Sequence, residues 1–264
     1  MNGRTLCNTP AVHGIHGHSA QAHDEAANTE RLPFTVKVVQ GESDLSKAIR
    51  IRHAAYARHL PELSAALKAP EAMDYDRDVA VLLAESKLDG TPLGTARIQT
   101  NASRPLCVES SIVLPAHMQG KRLAEVTRLG VETGRIGRLV KIALVKASFM
   151  YCERHGVDWA IAAGRTPIDQ QYESLLFSDV YPDRGFVPLQ HAGNIPHRVM
   201  AFEIATGHAR WEAAKHPLLG FFSHTRHPDI SVERRLAPRT AAGFAAGQAS
   251  AVAAATSTAA VLQQ

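Results

Sequence analysis

"AEVTRLGVETGRIGRLVKIALVKASFMYCERHGVDWAIAAG", residues 124–164, is the stretch whose reading decides the fold. Its first eight residues are mostly apolar or small and suit a buried strand, yet they include Glu125 and Arg128. Successive side chains of a strand alternate faces, so positions i and i+3 point to opposite sides. A same-face salt bridge within a regular strand is therefore excluded, unless a bulge turns both side chains one way. "GRIGRLVKIALVKASFMYCERHG" (134–156) follows, with a long apolar stripe and a glycine at its end, which predicts a helix. "VDWAIAAG" (157–164) then predicts a second buried strand. Strand, helix and strand in immediate succession make a crossover unit with parallel strands.

The surrounding chain fits the same architecture. "FTVKVVQ" (34–40) alternates as a strand does, and "DLSKAIRIRHAAYARHL" (44–60) carries a helical stripe of Leu45, Ile49, Ala55, Tyr56 and Leu60 with Asp44 as its cap. "VAVLLAES" (79–86) and "PLGTARIQT" (92–100) flank Asp89-Gly90 and predict a hairpin. "PIDQQYESLLF" (167–177) predicts a helix, and "GFVPL" (185–189) and "HRVMAFEI" (197–204) the last strands. The expectation is one α/β domain over residues 33–206, its mixed central sheet flanked by helices, antiparallel early and parallel across the long helix.

Both ends are poor in core material. Residues 1–32 lack hydrophobic periodicity and are expected to be a disordered tail. His13, His16, His18 and His23 lie there without a scaffold to fix ligand geometry, so no metal site is expected. Residues 207–235 form an extension in which "WEAAKHPLLGFF" (211–222) reads as an amphipathic helix packing on the domain, and 236–264 form a low-complexity, Ala-rich tail.

With 45% hydrophobic and 20% charged residues, the 264-residue chain can bury a sizeable core. No apolar run reaches the roughly 18–20 residues that span a bilayer. "MNGRTLCNTPAVHGIHGHSAQ" has no apolar signal core, so a cytoplasmic location is the expectation. Cys7, Cys107 and Cys152 are odd in number and far apart, which indicates neither a disulfide framework nor a zinc site. The net charge of +4 suits an acidic partner, but no basic stripe interleaved with aromatics appears, so nucleic acid is not an expected partner.

One anion site is legible from the residues themselves. The long helix begins at "GRIGR", where free backbone N–H groups of Gly134 to Arg138 meet the side chains of Arg135 and Arg138. A phosphate-bearing carrier arm would fit there, while the plain alternative is a loop with two solvated arginines.

At this point the sequence resembles a known group. The order of elements is similar to the GNAT acyltransferase fold. The residues are similar to its acyl-carrier-using branch, the acyl-homoserine-lactone synthases and long-chain N-acyl amino acid synthases. "IRIRHAAYARHL" resembles that group's first helix, with Arg52 and Tyr56 at its Arg-x-x-x-aromatic spacing. "MDYDRD" resembles its acidic stretch, "LGTARIQT" its next strand with Arg97, and "AEVTRLGV" its Glu-x-x-Arg strand with Glu125 and Arg128. The likeness runs over roughly residues 45–205.

Three departures stand beside it. A tryptophan that the lactone synthases carry after the first helix is missing from "RHLPELSAAL". Asp74, Asp76 and Asp78 alternate where the group spaces its acidic pair Asp-x-x-Asp. Gly134 and Gly137 stand three apart, unlike the Gly-x-Gly of acetyl-CoA users. The first two favour amino-acid N-acylation over lactone synthesis, and the third disfavours acetyl-CoA.

The resemblance implies an N-acyltransferase that moves a long-chain acyl group from acyl carrier protein to the α-amine of an amino acid. It implies no tightly bound cofactor, the cosubstrate being an acyl-phosphopantetheine thioester on acyl carrier protein or CoA. Glu125 would accept the amine proton, directly or through water. Arg128 would pair with Asp74 or Asp76 and shape the amino-acid pocket, with Arg52 and Tyr56 beside it. Arg97 would hold the substrate carboxylate. A backbone N–H of a bulged strand would hold the thioester oxyanion. Gly134, Arg135, Gly137 and Arg138, with Lys141, would meet the phosphopantetheine and the acidic carrier.

Rivals remain open. They are a lactone synthase, an ornithine-lipid-type acyltransferase, and a non-catalytic module that binds acyl carrier or amino acid. The charges also admit a purely structural network, with Arg52, Arg97 and Arg128 neutralised by Asp74, Asp76 and Glu125. Tyr56 and Tyr172 suit core or pocket wall, and Cys107 and Cys152 read as small apolar residues. Leu139, Ile142, Ala143, Val145, Phe149, Met150, Trp159 and Ile161 offer wall material for an acyl tunnel or simply core. Whether residues 211–222 touch the membrane that a lipid product would enter is a further open expectation.

Overall fold

The computed structural model describes residues 28–233. The His-containing segment 1–27 and the Ala-rich tail lie outside them, including all four histidines of the first segment.

In chain order the elements are β1 (Asn28–Thr29), β2 (Phe34–Val38), α1 (Glu42–Ala57), α2 (Pro61–Ser64), β3 (Val79–Ser86) and β4 (Pro92–Thr100). Then come β5 (Leu123–Val131), α3 (Gly134–Arg154), β6 (Trp159–Gly164), α4 (Ile168–Ser174), β7 (Ser178–Asp179) and β8 (Phe186–Leu189). β9 (Ile195–Glu203), α5 (Gly207–Ala213), β10 (Thr225–Arg226) and β11 (Ile230–Ser231) complete the order. The central sheet runs β11-β2-β3-β4-β5-β6-β9-β7, with β8 also on β9. β5 and β6 are parallel across α3, as the crossover requires, and β2 through β5 are antiparallel.

Local chemistry sets the ends. Helix α1 starts after an extended Gly41 rather than at Asp44, whose carboxylate accepts from Lys37 at 2.9 Å instead of capping the helix. It stops at Ala57, ahead of Leu60, whose ψ of 68° is non-helical as proline at 61 demands. Helix α3 stops where Gly156 takes φ +62°.

Two layers cover the sheet. On one face α3 packs against Ala80, Leu82, Ile98 and Ala124, a core that also buries Phe202, Trp211 and Phe222. On the other, α1 covers Val79, Val81 and Leu83, and the long 101–122 connection covers Leu123, Ile161 and Val199.

Both ends of the described chain depart from expectation. Residues 28–32 are held: Asn28 and Thr29 pair with Thr225 and Arg226, and Leu32 is buried. The segment 211–222 is not one helix. α5 ends at Ala213, and after Pro217, which cannot continue a helix, a π turn covers Gly220–His224. Trp211 and Phe222 are buried against the domain, and β11 extends its sheet alongside β2.

Candidate active site

A bulge in β5 answers the puzzle of Glu125 and Arg128. Thr95 pairs with Gly130 and Arg97 with Thr127, so Ala96 alone opposes both Arg128 and Leu129. Arg128 takes φ +55°, a left-handed conformation that costs a non-glycine residue about 1 kcal/mol. The extra residue resets alternation. Glu125 and Thr127 already share a face with Arg97, and Arg128 now joins them, while Leu129 turns to the α3 side.

The bulge sits where the sheet opens. β5 pairs with β6 only over Leu123–Val126 and Trp159–Ala162, and past Val126 the two parallel strands part. A crevice at the C-terminal ends of parallel strands is where open α/β sheets bind ligands. α3 starts directly beyond it, at Gly134 with φ +77°.

Three arginines meet two carboxylates on the α1 face. Arg52 holds Asp74 bidentately (2.8 and 3.0 Å), and Arg128 holds Glu71 bidentately (2.8 and 2.6 Å). Arg97 joins the halves, donating to Glu71 at 2.8 Å, to Asp74 at 3.4 Å and to Thr127 at 3.2 Å. Burial works against the Glu71 charge, but the Arg128 hydrogen bonds and the charges of Arg97 and Arg52 hold it at about 2. Burial likewise opposes the Arg128 charge, and Glu71 and Tyr56 outweigh it, so Arg128 is more firmly protonated than usual. Three cations and two anions leave the cluster with one net positive charge.

The partner of Arg128 is Glu71, not Asp74 or Asp76, and Glu71 was missed in the sequence. Asp74 belongs to the cluster through Arg52 and Arg97. Asp76 is outside it, paired with Arg104 at 2.9 Å. The acidic pair is thus Glu71-x-x-Asp74, fixed by a 3-10 turn in which Asp74 accepts the Glu71 N–H at 2.8 Å. Its spacing keeps the resembled group's i, i+3 pattern. The departure read into Asp74, Asp76 and Asp78 thus narrows to residue type, Glu71 standing where the group has its first Asp.

Glu125 stands apart from that network. It is fully buried, and its Oε2 accepts the Val108 N–H at 3.0 Å. Burial pushes its carboxyl up to about 7, against the pull of the Val108 N–H and of Arg97 and Arg128. Its Oε1 lies 3.3 Å from Nε2 of His191, in the 3-10 turn Gln190–Ala192 between β8 and β9. Burial, then Arg128, His197 and Arg97, lower His191 to about 4, so it is neutral where Glu125 titrates. Nothing in "LQHAGN" marks His191 for this site, because only the tertiary fold brings it to β5.

Arg135 and Arg138 are exposed at the start of α3 and make no ion pair among the described residues. Lys141 instead reaches Gln171 at 2.6 Å. Gly137 is required there, since a Cβ would lie 1.7 Å from the Glu132 carbonyl oxygen. Gly137→Ala gains about 1 kcal/mol of helix propensity and loses more to this backbone clash. The expected net loss is about 1–3 kcal/mol, read by chemical denaturation.

Behind the bulge, on the α3 face, lies an apolar cavity of about 40 Å³. Of the residues offered for its wall Val145 and Phe149 line it, with Leu129, Tyr172 and Trp211, whereas Leu139, Ile142, Ala143 and Met150 pack in the surrounding core. Trp159 and Ile161, expected in the same wall, pack on the opposite face of the sheet instead. Among the described residues, no group of three or more His, Cys, Asp or Glu side chains is placed to hold a metal ion, and no helix is long and apolar enough to cross a membrane.

A family model described as N-acyl amino acid synthase FeeM matches residues 47–191, more than half of the chain. Among solved structures, FeeM, an N-acyl amino acid synthase from uncultured soil microbes, aligns at 16% identity with a TM-score of 0.52, covering 69% of this chain and 96% of that one. BjaI, a CoA-dependent acyl-homoserine lactone synthase, aligns at 16% identity and TM-score 0.49, over 74% and 93%. A Desulfovibrio desulfuricans protein assigned to the GNAT family aligns at 12% identity and TM-score 0.46, over 65% and 99%. No curated protein matches by sequence. The family match, together with the mixed sheet split beside its bulged strand, places this chain in the N-acyl amino acid synthase FeeM family, as an N-acyltransferase of the GNAT fold.

Proposed function

We propose that this protein joins a long-chain acyl group, delivered as a thioester on acyl carrier protein, to the α-amine of an amino acid. The observation that carries the reading is Glu125: a buried carboxyl at about 7, on the bulged strand beside the crevice. A base with that affinity is matched to deprotonating an ammonium group near neutral pH. The amine then attacks the thioester carbonyl carbon, the C–N bond forms and the C–S bond breaks. Of the two protons the ammonium loses, one passes through Glu125 and the other ends on the leaving thiolate. A backbone N–H of β5 beyond Val126 holds the oxyanion.

The net positive cluster of Arg52, Arg97 and Arg128 draws the acceptor carboxylate. Arg97 is 2% exposed and already engaged by Glu71, so it contributes field rather than a free bidentate fork. Tyr56 contacts Arg128 and walls the same pocket. Gly134, Arg135, Gly137 and Arg138 hold the carrier's phosphate at the start of α3. Acyl-CoA is the alternative donor, and the cavity behind Leu129 takes the acyl chain.

One observation favours a second reading. Glu71-x-x-Asp74 keeps the acidic spacing of the lactone synthases, so the family match and the missing tryptophan are what now argue against lactone synthesis. Mass spectrometry of lipid extracts from bacteria expressing the chain separates the two. New N-acyl amino acids, absent with Glu125→Gln, are expected. An acyl-homoserine lactone would establish the second reading instead, and unchanged lipids beside well-folded protein would refute both.

A further inference from the structure

The apolar cavity extends beyond the residues that the family model covers. Its lining runs from Leu129, at the bulge, to Phe202 and Trp211, both outside the matched 47–191. Register shows its direction. Val126 pairs with Ala162, and the row behind them is Ala124, Ala160 and Phe202. A long acyl chain is larger than the 40 Å³ now open, so it must spread the lining side chains until it meets one that does not yield.

Trp211 stands at the far end. It is 2% exposed, and its ring centroid lies 5.2 Å from Phe202, 4.9 Å from Phe149 and 4.7 Å from Phe222. Its Nε1 donates to the Leu175 carbonyl at 3.3 Å, which fixes the indole in place. The segment that carries it is fastened to the core by a buried cation. Lys146 of α3 donates to the carbonyls of Phe221 and Thr225, each at 2.6 Å, and lies 3.0 Å from His227 Nδ1. A wall anchored by aromatic packing and three polar contacts resists displacement by a flexible alkyl chain.

We propose that Trp211, in the segment that follows the acyltransferase core, is the end-stop of the acyl channel and sets the longest chain the protein accepts. This rests on the acyltransferase reading for the purpose of the channel, but the end-stop itself is a property of binding. Trp211 is a specificity-determining residue here and has no part in the chemistry.

The test measures binding of saturated fatty acids of increasing length to the purified full chain by native mass spectrometry, alongside two variants. Trp211→Leu removes about 3 Å of reach, two C–C bonds, so its preferred length shifts up by about two carbons. Ala160→Leu fills the same end from the sheet side, and its preferred length shifts down. Opposite shifts in two folded variants are not produced by general destabilisation. Should Trp211→Leu fail to fold, Ala160→Leu decides the matter alone. An unchanged length preference, or no fatty-acid binding by the unaltered chain, overturns the proposal. Length-selective binding with no amide product from a thioester and amino acids leaves the end-stop standing and refutes the proposed function instead.

Discussion

Glu125→Gln is expected to lower turnover by about 10²–10⁴-fold, the usual worth of a positioned general base. The amide keeps the shape of the side chain and removes only its capacity to take a proton. The effect on stability has the opposite sign. Glu125 has its folded-state carboxyl raised from an ordinary 4.5 to about 7, so between those values the folded chain holds a proton that the unfolded chain has lost. Stability therefore falls as pH rises from about 4.5 to 7, by as much as about 3 kcal/mol. Glu125→Gln escapes this cost, and at pH 8 it should melt above the unaltered protein. Activity runs the other way. The base must be ionised to act, so turnover in the unaltered protein should rise tenfold per pH unit below about 7 and level off above it. A variant that is both inactive and less stable at pH 8 would mean that Glu125 is a structural acid.

Glu71→Ala carries the largest expected loss of stability. It leaves Arg128 buried without a carboxylate partner, and Asp74 as the one carboxylate for Arg52 and Arg97. Removing one partner of a buried ion pair costs about 3–5 kcal/mol, and because the Glu71 side chain is 26% exposed we expect about 2–4. The pH dependence follows from its carboxyl at about 2. Below its ordinary value of 4.5 the unfolded chain binds the proton first, so this stabilisation is present above pH 4.5 and disappears as pH falls toward 2. Chemical denaturation at pH 7 and at pH 3 reads both effects: the gap between Glu71→Ala and the unaltered chain should narrow at the lower pH. An equal gap at both would show that the loss comes from packing and not from charge.

How far the sequence foretold this site follows from the range of the interactions. Helix α3 and strands β3 to β6 rest on local periodicity and glycine punctuation, and these were legible within a residue or two. The bulge was legible in a different way. A carboxylate and a guanidinium three apart in one strand contradict alternation, and a positive φ at Arg128 is the resolution. The acidic pair was legible but misread. Asp74, Asp76 and Asp78 draw the eye as a run, whereas Glu71 and Asp74 are joined by a 3-10 turn whose spacing matters and whose residue types differ. His191 and Trp211 carried no local signal at all. One reaches Glu125 through the β8–β9 turn and the other reaches the cavity from beyond β9, both by long-range packing.

The most direct test is reconstitution with purified protein, a long-chain acyl thioester on acyl carrier protein or on CoA, and a mixture of amino acids. Amide product by mass spectrometry and free thiol are measured together. The account predicts N-acyl amino acid and thiol in equal amounts, with both lost in Glu125→Gln. Thiol release without amide, or no consumption of either thioester by folded protein, would contradict it.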